Sequence, residues 1–208
     1  MPKIVALEPD LVIGFSDIQA ELARDLIAAN QQVLIFNQRS LQEIMEVIVD
    51  LGSLVDCRDA ALQLVGDYER RIDAAFERAE SRAGRPRVYF EEWDDPMICG
   101  IEWVSELIEI AGGEDIFREQ ARGKLAKERF VDEERVRARD PEIMLASWCG
   151  KALDEKSVYA RATMGGVTAL KNKRLVEVPA EIILQPGPAC LTDGLDRLEE
   201  IISGYAGS

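Results

Sequence analysis

Glu91-Glu92-Trp93-Asp94-Asp95-Pro96 places four carboxylates around one indole, directly after the apolar run Val88-Tyr89-Phe90. The apolar run reads as a strand, and ligands of open α/β sheets sit outside the carboxyl ends of strands. The acidic segment therefore reads as a loop at a ligand site. Trp93 offers a face on which a flat ring system stacks. Glu92 and Asp94 can accept hydrogen bonds from ligand amides. Carboxylates also suit a hard cation such as Ca²⁺ or Mg²⁺, but the run lacks EF-hand spacing. A metal-dependent hydrolase using Glu91, Glu92, Asp94 and Asp95 is the enzymatic alternative. The plain structural alternative is a solvated acidic loop whose Trp93 covers the core.

Further candidates end other strands. Trp148-Cys149-Gly150 follows the run Ile143-Met144-Leu145-Ala146, and its glycine permits a tight turn. Cys149 has no histidine to activate it, because the chain contains none. The same zero removes Ser-His-Asp and Cys-His catalysis and, with no clustered thiols, argues against a zinc site. No catalytic residue and no metal ligand is assigned. Four cysteines, Cys57, Cys99, Cys149 and Cys190, include no CxxC pair and read as reduced thiols. Phe15 and Ser16 end one earlier strand, and Asn37 and Arg39 end another. Pro186-Gly187-Pro188 is a rigid turn before the last helix. Trp103, beside Val104, Leu107 and Ile108, reads as core.

The elements that must position these residues alternate. Pro9 stops a short apolar helical stretch (Ile4, Val5, Leu7), and a buried strand follows over Leu11–Phe15. Ser16 with Gln19 gives a capping-box signature for a helix near 17–29. Val33–Phe36 is a second strand. Ser40 with Glu43 repeats the signature ahead of Leu41, Ile44, Met45, Ile48 and Leu51 on one helical face. Between 57 and 83, Ala61, Val65, Tyr68, Ile72, Ala75 and Ala79 recur at spacings of four and three. One amphipathic helix results, about 40 Å long at a rise of roughly 1.5 Å per residue. After Pro86 come a strand at Val88–Phe90 and a helix at 100–111 closed by Gly112-Gly113. Then follow a helix at 132–139, a strand at Ile143–Ala146, one or two helices within 152–171, a strand at Leu175–Val178 and a helix at 191–204. This is an α/β chain of two lobes with parallel-type sheets, joined by one long backbone helix. The domains are a partial N-terminal lobe at 1–56, the linking helix at 57–84 and a C-terminal lobe at 85–208.

Composition excludes some functions. Of 208 residues, 47% are hydrophobic and 31% charged, with a net charge of −14, so each lobe has material for a core. That charge repels polyanions, so nucleic acid is not an expected partner. No apolar run has the length of a bilayer span. The N-terminus shows neither a basic n-region nor an h-region, which predicts no signal peptide and a cytoplasmic chain as it stands. A true start lying upstream would make it periplasmic or cell-surface.

The phrases "EPDLVIGF", "VLIFN", "RPRVYFEEWDDPMICGIEWVSELIEIAGGEDIF", "ARDPEIMLASWCG", "VTALKNKRLVEV" and "QPGPACLTDGLDRLEEII" occur in order around the long helix. In that order, from about residue 3 to 204, the chain resembles class III substrate-binding proteins, the cobalamin, siderophore and haem receptors of ABC importers. The cobalamin-binding branch is the nearest in phrasing. The resemblance implies a non-enzymatic protein that holds cobalamin, another corrinoid or a ferric-siderophore-like chelate in an interlobe cleft, with no covalent cofactor. It implies Phe15, Ser16, Asn37, Arg39, Glu92, Trp93, Asp94, Trp148, Cys149 and Pro186 as ligand-binding residues. It implies an ABC permease as partner, docked through Glu21 and, in the second lobe, Glu155.

One departure is evident. The family's first lobe opens with a further strand–helix–strand, and here Met1 falls after it. The first lobe then reads as truncated, with two strands whose edges invite pairing. This motivates two expectations: a homodimer through that lobe, and, as an alternative function, a shortened cytoplasmic homologue acting as a dimeric interaction protein without a transport role.

Overall fold

The computed structural model describes residues 2–206. Contacts divide the chain into two units, Met1–Gln38 and Arg39–Ser208.

The first unit holds two parallel strands, β1 (Val12–Phe15) and β2 (Val33–Phe36), paired from Val12↔Val33 to Phe15↔Phe36. The connecting helix runs over Ala20–Ala28 after a 3₁₀ turn at Asp17–Gln19, and Leu26 is its buried anchor. The expected capping box is not formed there. Ser16 accepts the Ile18 N–H at 3.5 Å, but Gln19 reaches past Ser16 to the Phe15 N–H at 3.0 Å. The 3₁₀ turn tightens the backbone, so Gln19 meets the wrong amide for a reciprocal cap.

The second unit begins with a helix at Leu41–Leu54. Its Ser40–Glu43 capping box is complete: Glu43 N–H donates to Ser40 Oγ and Ser40 N–H to Glu43 Oε2, both at 3.2 Å. The long helix is unbroken over Arg58–Glu80, with Ala61, Val65, Tyr68, Ala75 and Ala79 buried along one stripe. Its other side pairs with the last helix, Leu195–Ala206, through Arg71–Asp196 and through Arg78 to Glu199 at 2.7 Å.

The sheet of this unit contains β3 (Arg87–Asp94), β4 (Met97–Cys99), β5 (Glu114–Asp115), β6 (Ile143–Ala146) and β7 (Leu175–Glu177). The order is β4-β3-β6-β7, with β5 also on β3. β3, β6 and β7 run parallel, with Glu91 opposite Ala146 and Ala146 opposite Glu177. The ends of β6 and β7 therefore lie level with Glu91, and β3 runs on three residues further to Asp94. One face buries Tyr89, Met144, Trp148, Val158 and Met164 in a single cluster.

The sequence reading of 91–96 as a loop is corrected here. Glu91, Trp93 and Asp94 are strand residues, paired antiparallel with Cys99, Ile98 and Met97. Only Asp95 and Pro96 form the turn. An antiparallel partner three residues long lets β3 continue past its apolar half, because β4 supplies ladder bonds that water would otherwise supply.

Candidate functional site

The site is built where β3, β6 and β7 end. Glu91 is fully buried, and burying a lone carboxylate is costly unless every lone pair is engaged. Four donors meet it. Arg161 Nη1 and Nη2 donate at 2.6 and 2.8 Å, Trp148 Nε1 at 3.1 Å and Tyr89 Oη at 3.1 Å. Burial alone would lower the Arg161 pKa, but hydrogen bonding and charge from Glu91 outweigh it and raise it. Tyr89 is pushed well above the usual phenol range, first by burial and then by the Glu91 charge. Glu91 is thus structural: it neutralises Arg161 and fixes the Trp148 indole.

Glu92 is half-buried and gives both oxygens to Arg129, at 2.5 and 3.0 Å, while Arg129 also donates to the Cys99 carbonyl at 2.7 Å. Its carboxylate clamps the β3–β4 hairpin. Asp94 accepts from Lys151 Nζ at 2.6 Å. Burial pushes the Asp94 pKa up, but the Lys151 hydrogen bond, backbone amides and the Lys151 charge overcome it, and the net shift is downward. All of Glu91, Glu92 and Asp94 are therefore engaged with cations of the chain itself. Among the described residues no group of three or more metal-ligating side chains could hold an ion. The hydrolase alternative has no free carboxylate set on which to stand.

Trp93, Asp94 and Trp148 are brought together. Lys151 Nζ lies 4.5 Å from the Trp93 ring centroid and 4.7 Å from that of Trp148. Trp93 donates its Nε1–H to the Asp95 carbonyl at 3.0 Å, so that ring too is held. Gly150, at φ +81°, makes the tight turn that carries Lys151 back over the indoles, a backbone region that favours glycine. Glu177 accepts the Leu153 N–H at 2.9 Å and ties this turn to the end of β7. Cys149 is exposed beside it.

The other predicted residues are placed as follows. Phe15 and Ser16 end β1, and Asn37 follows β2, all in the first unit. Ser16 is buried, and its hydroxyl donates to Asp17 at 2.9 Å. Arg39 opens the second unit, and its carbonyl accepts the Trp103 N–H at 2.9 Å. Trp103 is core, with its indole donating to the Ile183 carbonyl at 2.9 Å. Pro186 sits in the turn between the helix Ala180–Ile183 and the π-turn Cys190–Gly194. Glu21 and Glu155 are exposed, each in the first turn of its helix.

Sequence reasoning missed Lys151 and Arg161. Lys151 is a single lysine three residues after Trp148, and only the geometry of the Gly150 turn reveals its place. Arg161 lies in a segment of short helical turns with no clear period.

A model of the family described as periplasmic binding protein matches residues 1–182. The vitamin B12-binding protein of Vibrio parahaemolyticus serotype O3:K6 is 24% identical over 208 residues, covering 98% of this chain and 72% of the relative. Among solved structures, an ABC transporter substrate-binding protein from Listeria monocytogenes EGD-e superposes with a TM-score of 0.83 at 19% identity, over 98% of this chain and 80% of that one. An ABC-type Fe3+-hydroxamate transport system protein from Saccharomonospora viridis DSM 43017 superposes with a TM-score of 0.75 at 22% identity, over 95% and 70%. At such identities these structures establish the α/β fold.

Proposed function

The chain belongs to the periplasmic binding protein family, and from that premise we propose that it is the substrate-binding component of an ABC uptake system, holding a corrinoid such as cobalamin or a ferric chelate. Family membership makes it a binding protein and not an enzyme. The ligand class rests on the family match, and the observation beside it is the half-buried Trp93 indole at the end of β3, anchored on the Asp95 carbonyl, while Trp148 behind it is buried against Glu91. Held aromatic faces at strand ends favour flat, amide-rimmed ligands, because stacking needs little further ordering. The B12-binding relative and the Fe3+-hydroxamate neighbour support these two ligand classes.

In this reading residues 1–56 are the first lobe, 57–84 the stiff connection and 85–208 the second lobe. Phe15, Ser16, Asn37 and Arg39 contribute from the first two strand ends, and Pro186 from the rim. The partner is a permease, met by the exposed carboxylates of Glu21 and Glu155. No helix among the described residues is long and apolar enough to cross a membrane.

The test is a titration of the purified chain with aquocobalamin, a ferric hydroxamate and haem, read by tryptophan fluorescence. Saturable quenching by one of them supports the proposal. Absence of quenching and of calorimetric heat with all three overturns it.

A further inference from the structure

Two indole faces and one carboxylate converge on a single ammonium. Lys151 Nζ is 4.5 and 4.7 Å from the Trp93 and Trp148 centroids and 2.6 Å from Asp94 Oδ1. The negative faces of aromatic rings attract cations, and boxes of this kind recognise quaternary ammonium groups. Both rings are held by their N–H groups, Trp93 on the Asp95 carbonyl and Trp148 on buried Glu91, so the box does not depend on Lys151 for its shape. Lys151 itself is 42% exposed on a turn that bends at Gly150. A primary ammonium is strongly hydrated, so water competes for it there.

The adjoining pocket carries the same sign. It encloses about 490 Å³ between Trp148 and Pro179, and of its lining side chains Lys151 alone is basic, while Glu177 and Glu181 are acidic. A polyanionic chelate in that pocket would meet Glu177 and Glu181 with one lysine, itself paired to Asp94, to offset them. A cation would meet Glu177 and Glu181 in the pocket and, in the place of the Lys151 ammonium, Asp94 and the two π faces.

We propose that Trp93, Trp148 and Asp94 form a box for a positively charged ligand group, which Lys151 occupies until the ligand displaces it. This names the charge of the ligand at the site proposed above and rests on that reading for its biological use. The ligand class is a cationic or cation-bearing molecule, and polyanionic ferric chelates are rejected.

The experiment uses tetramethylammonium as probe, with sodium at equal ionic strength as control. It is run on the full chain and on Lys151→Ala, with tryptophan fluorescence as readout. Vacating the box should tighten tetramethylammonium binding at least tenfold, and Trp93→Leu in the Lys151→Ala background should remove the gain. Near-UV circular dichroism shows that each variant keeps its packing, and Lys151→Met serves as a second vacated form. No gain, or a gain that survives Trp93→Leu, overturns the proposal. A second arm compares aquocobalamin, a cation, with a triply anionic ferric catecholate. Lys151→Ala should strengthen the former; if it instead weakens binding of the catecholate, Lys151 is an anion-binding residue and the proposal falls. If neither chelate binds while tetramethylammonium still binds Lys151→Ala, the receptor reading fails and the cation box stands.

Discussion

Arg161 grips both carboxylate oxygens of Glu91, at 2.6 and 2.8 Å, across seventy positions of sequence. The pair joins the middle of β3 to the short helical turns that follow β6. Because Glu91 also accepts the Trp148 indole, the orientation of one wall of the candidate site depends on an ion pair that touches no ligand. Such a pair specifies geometry more than it adds stability, since desolvation offsets most of the Coulombic gain.

The costs of removing the two partners should therefore not add. Arg161→Met leaves a buried, uncompensated carboxylate and should cost about 3–5 kcal/mol in urea unfolding. The double variant Glu91→Leu, Arg161→Met should cost clearly less than the sum of the singles, as expected for residues in direct contact. Additive losses would show that the two side chains do not act as a pair.

Gly194 gives a second stability test. A Cβ at this position would collide with the Ile182 carbonyl oxygen and lie 3.2 Å from the Ile183 side chain, whereas one at Gly187 would meet nothing within 4 Å. Gly194→Ala should destabilise by about 1–3 kcal/mol, the range for overpacking a close contact. Gly187→Ala, seven residues earlier, should be neutral or slightly stabilising through reduced chain entropy. Equal effects would mean that the π-turn does not approach the helix Ala180–Ile183 as closely as described.

The layout was legible where patterns were local. The stripe from Ala61 to Ala79 revealed the long helix, and Asp140-Pro141 with Trp148-Cys149-Gly150 bracketed β6 on both sides. The acidic half of β3 was not legible. Nothing near Glu91 in sequence announces the arginine that neutralises it, and a run of carboxylates reads as solvated until that partner is seen. β4 was lost for a similar reason, since a strand of three residues carries too little periodicity. At the candidate site, Trp93 and Trp148 stood out by type and by following apolar runs. Lys151 did not, because a lone lysine after a glycine has no distinguishing spacing. The ligand class came from family resemblance and not from the residue pattern.

The thiols divide into two kinds. Cys57 and Cys149 are exposed, while burial pushes Cys99 up to about 12 and Cys190 up to about 11. Thiolates, not thiols, react with disulfide reagents. Native protein at pH 8 should release chromophore rapidly from Cys57 and Cys149, and from Cys99 and Cys190 only after denaturation. The same shifts have a stability consequence whose sign is fixed. Above the ordinary thiol value of 9.0 the unfolded chain loses protons that the folded chain keeps, until the folded values near 11 and 12. Stability from the buried thiols is thus complete below pH 9 and falls as pH rises through that window, by about 1.4 kcal/mol per unit for each thiol. Cys190→Ala should flatten the decline by one thiol's share. An undiminished slope would assign the alkaline loss to other groups, of which Tyr89 is the first candidate.

Trp93→Ala tests the ligand site itself. The indole is half-buried, packs on the edge of the main core cluster and is held by the hydrogen bond to the Asp95 carbonyl, so removing it takes away a stacking face together with some edge packing. Binding of a corrinoid or other flat chelate should weaken by about 1–3 kcal/mol, as for the loss of an aromatic platform beneath a flat ring. Trp103→Phe makes the appropriate comparison: that indole is buried and bonded to the Ile183 carbonyl, so its loss should lower stability and leave affinity nearly unchanged. Calorimetry on both variants, with unfolding midpoints measured alongside, separates the two effects. Equal affinity for Trp93→Ala and the unaltered chain would remove Trp93 from the site. Loss of affinity in Trp103→Phe without loss of stability would move the ligand to the other side of the sheet.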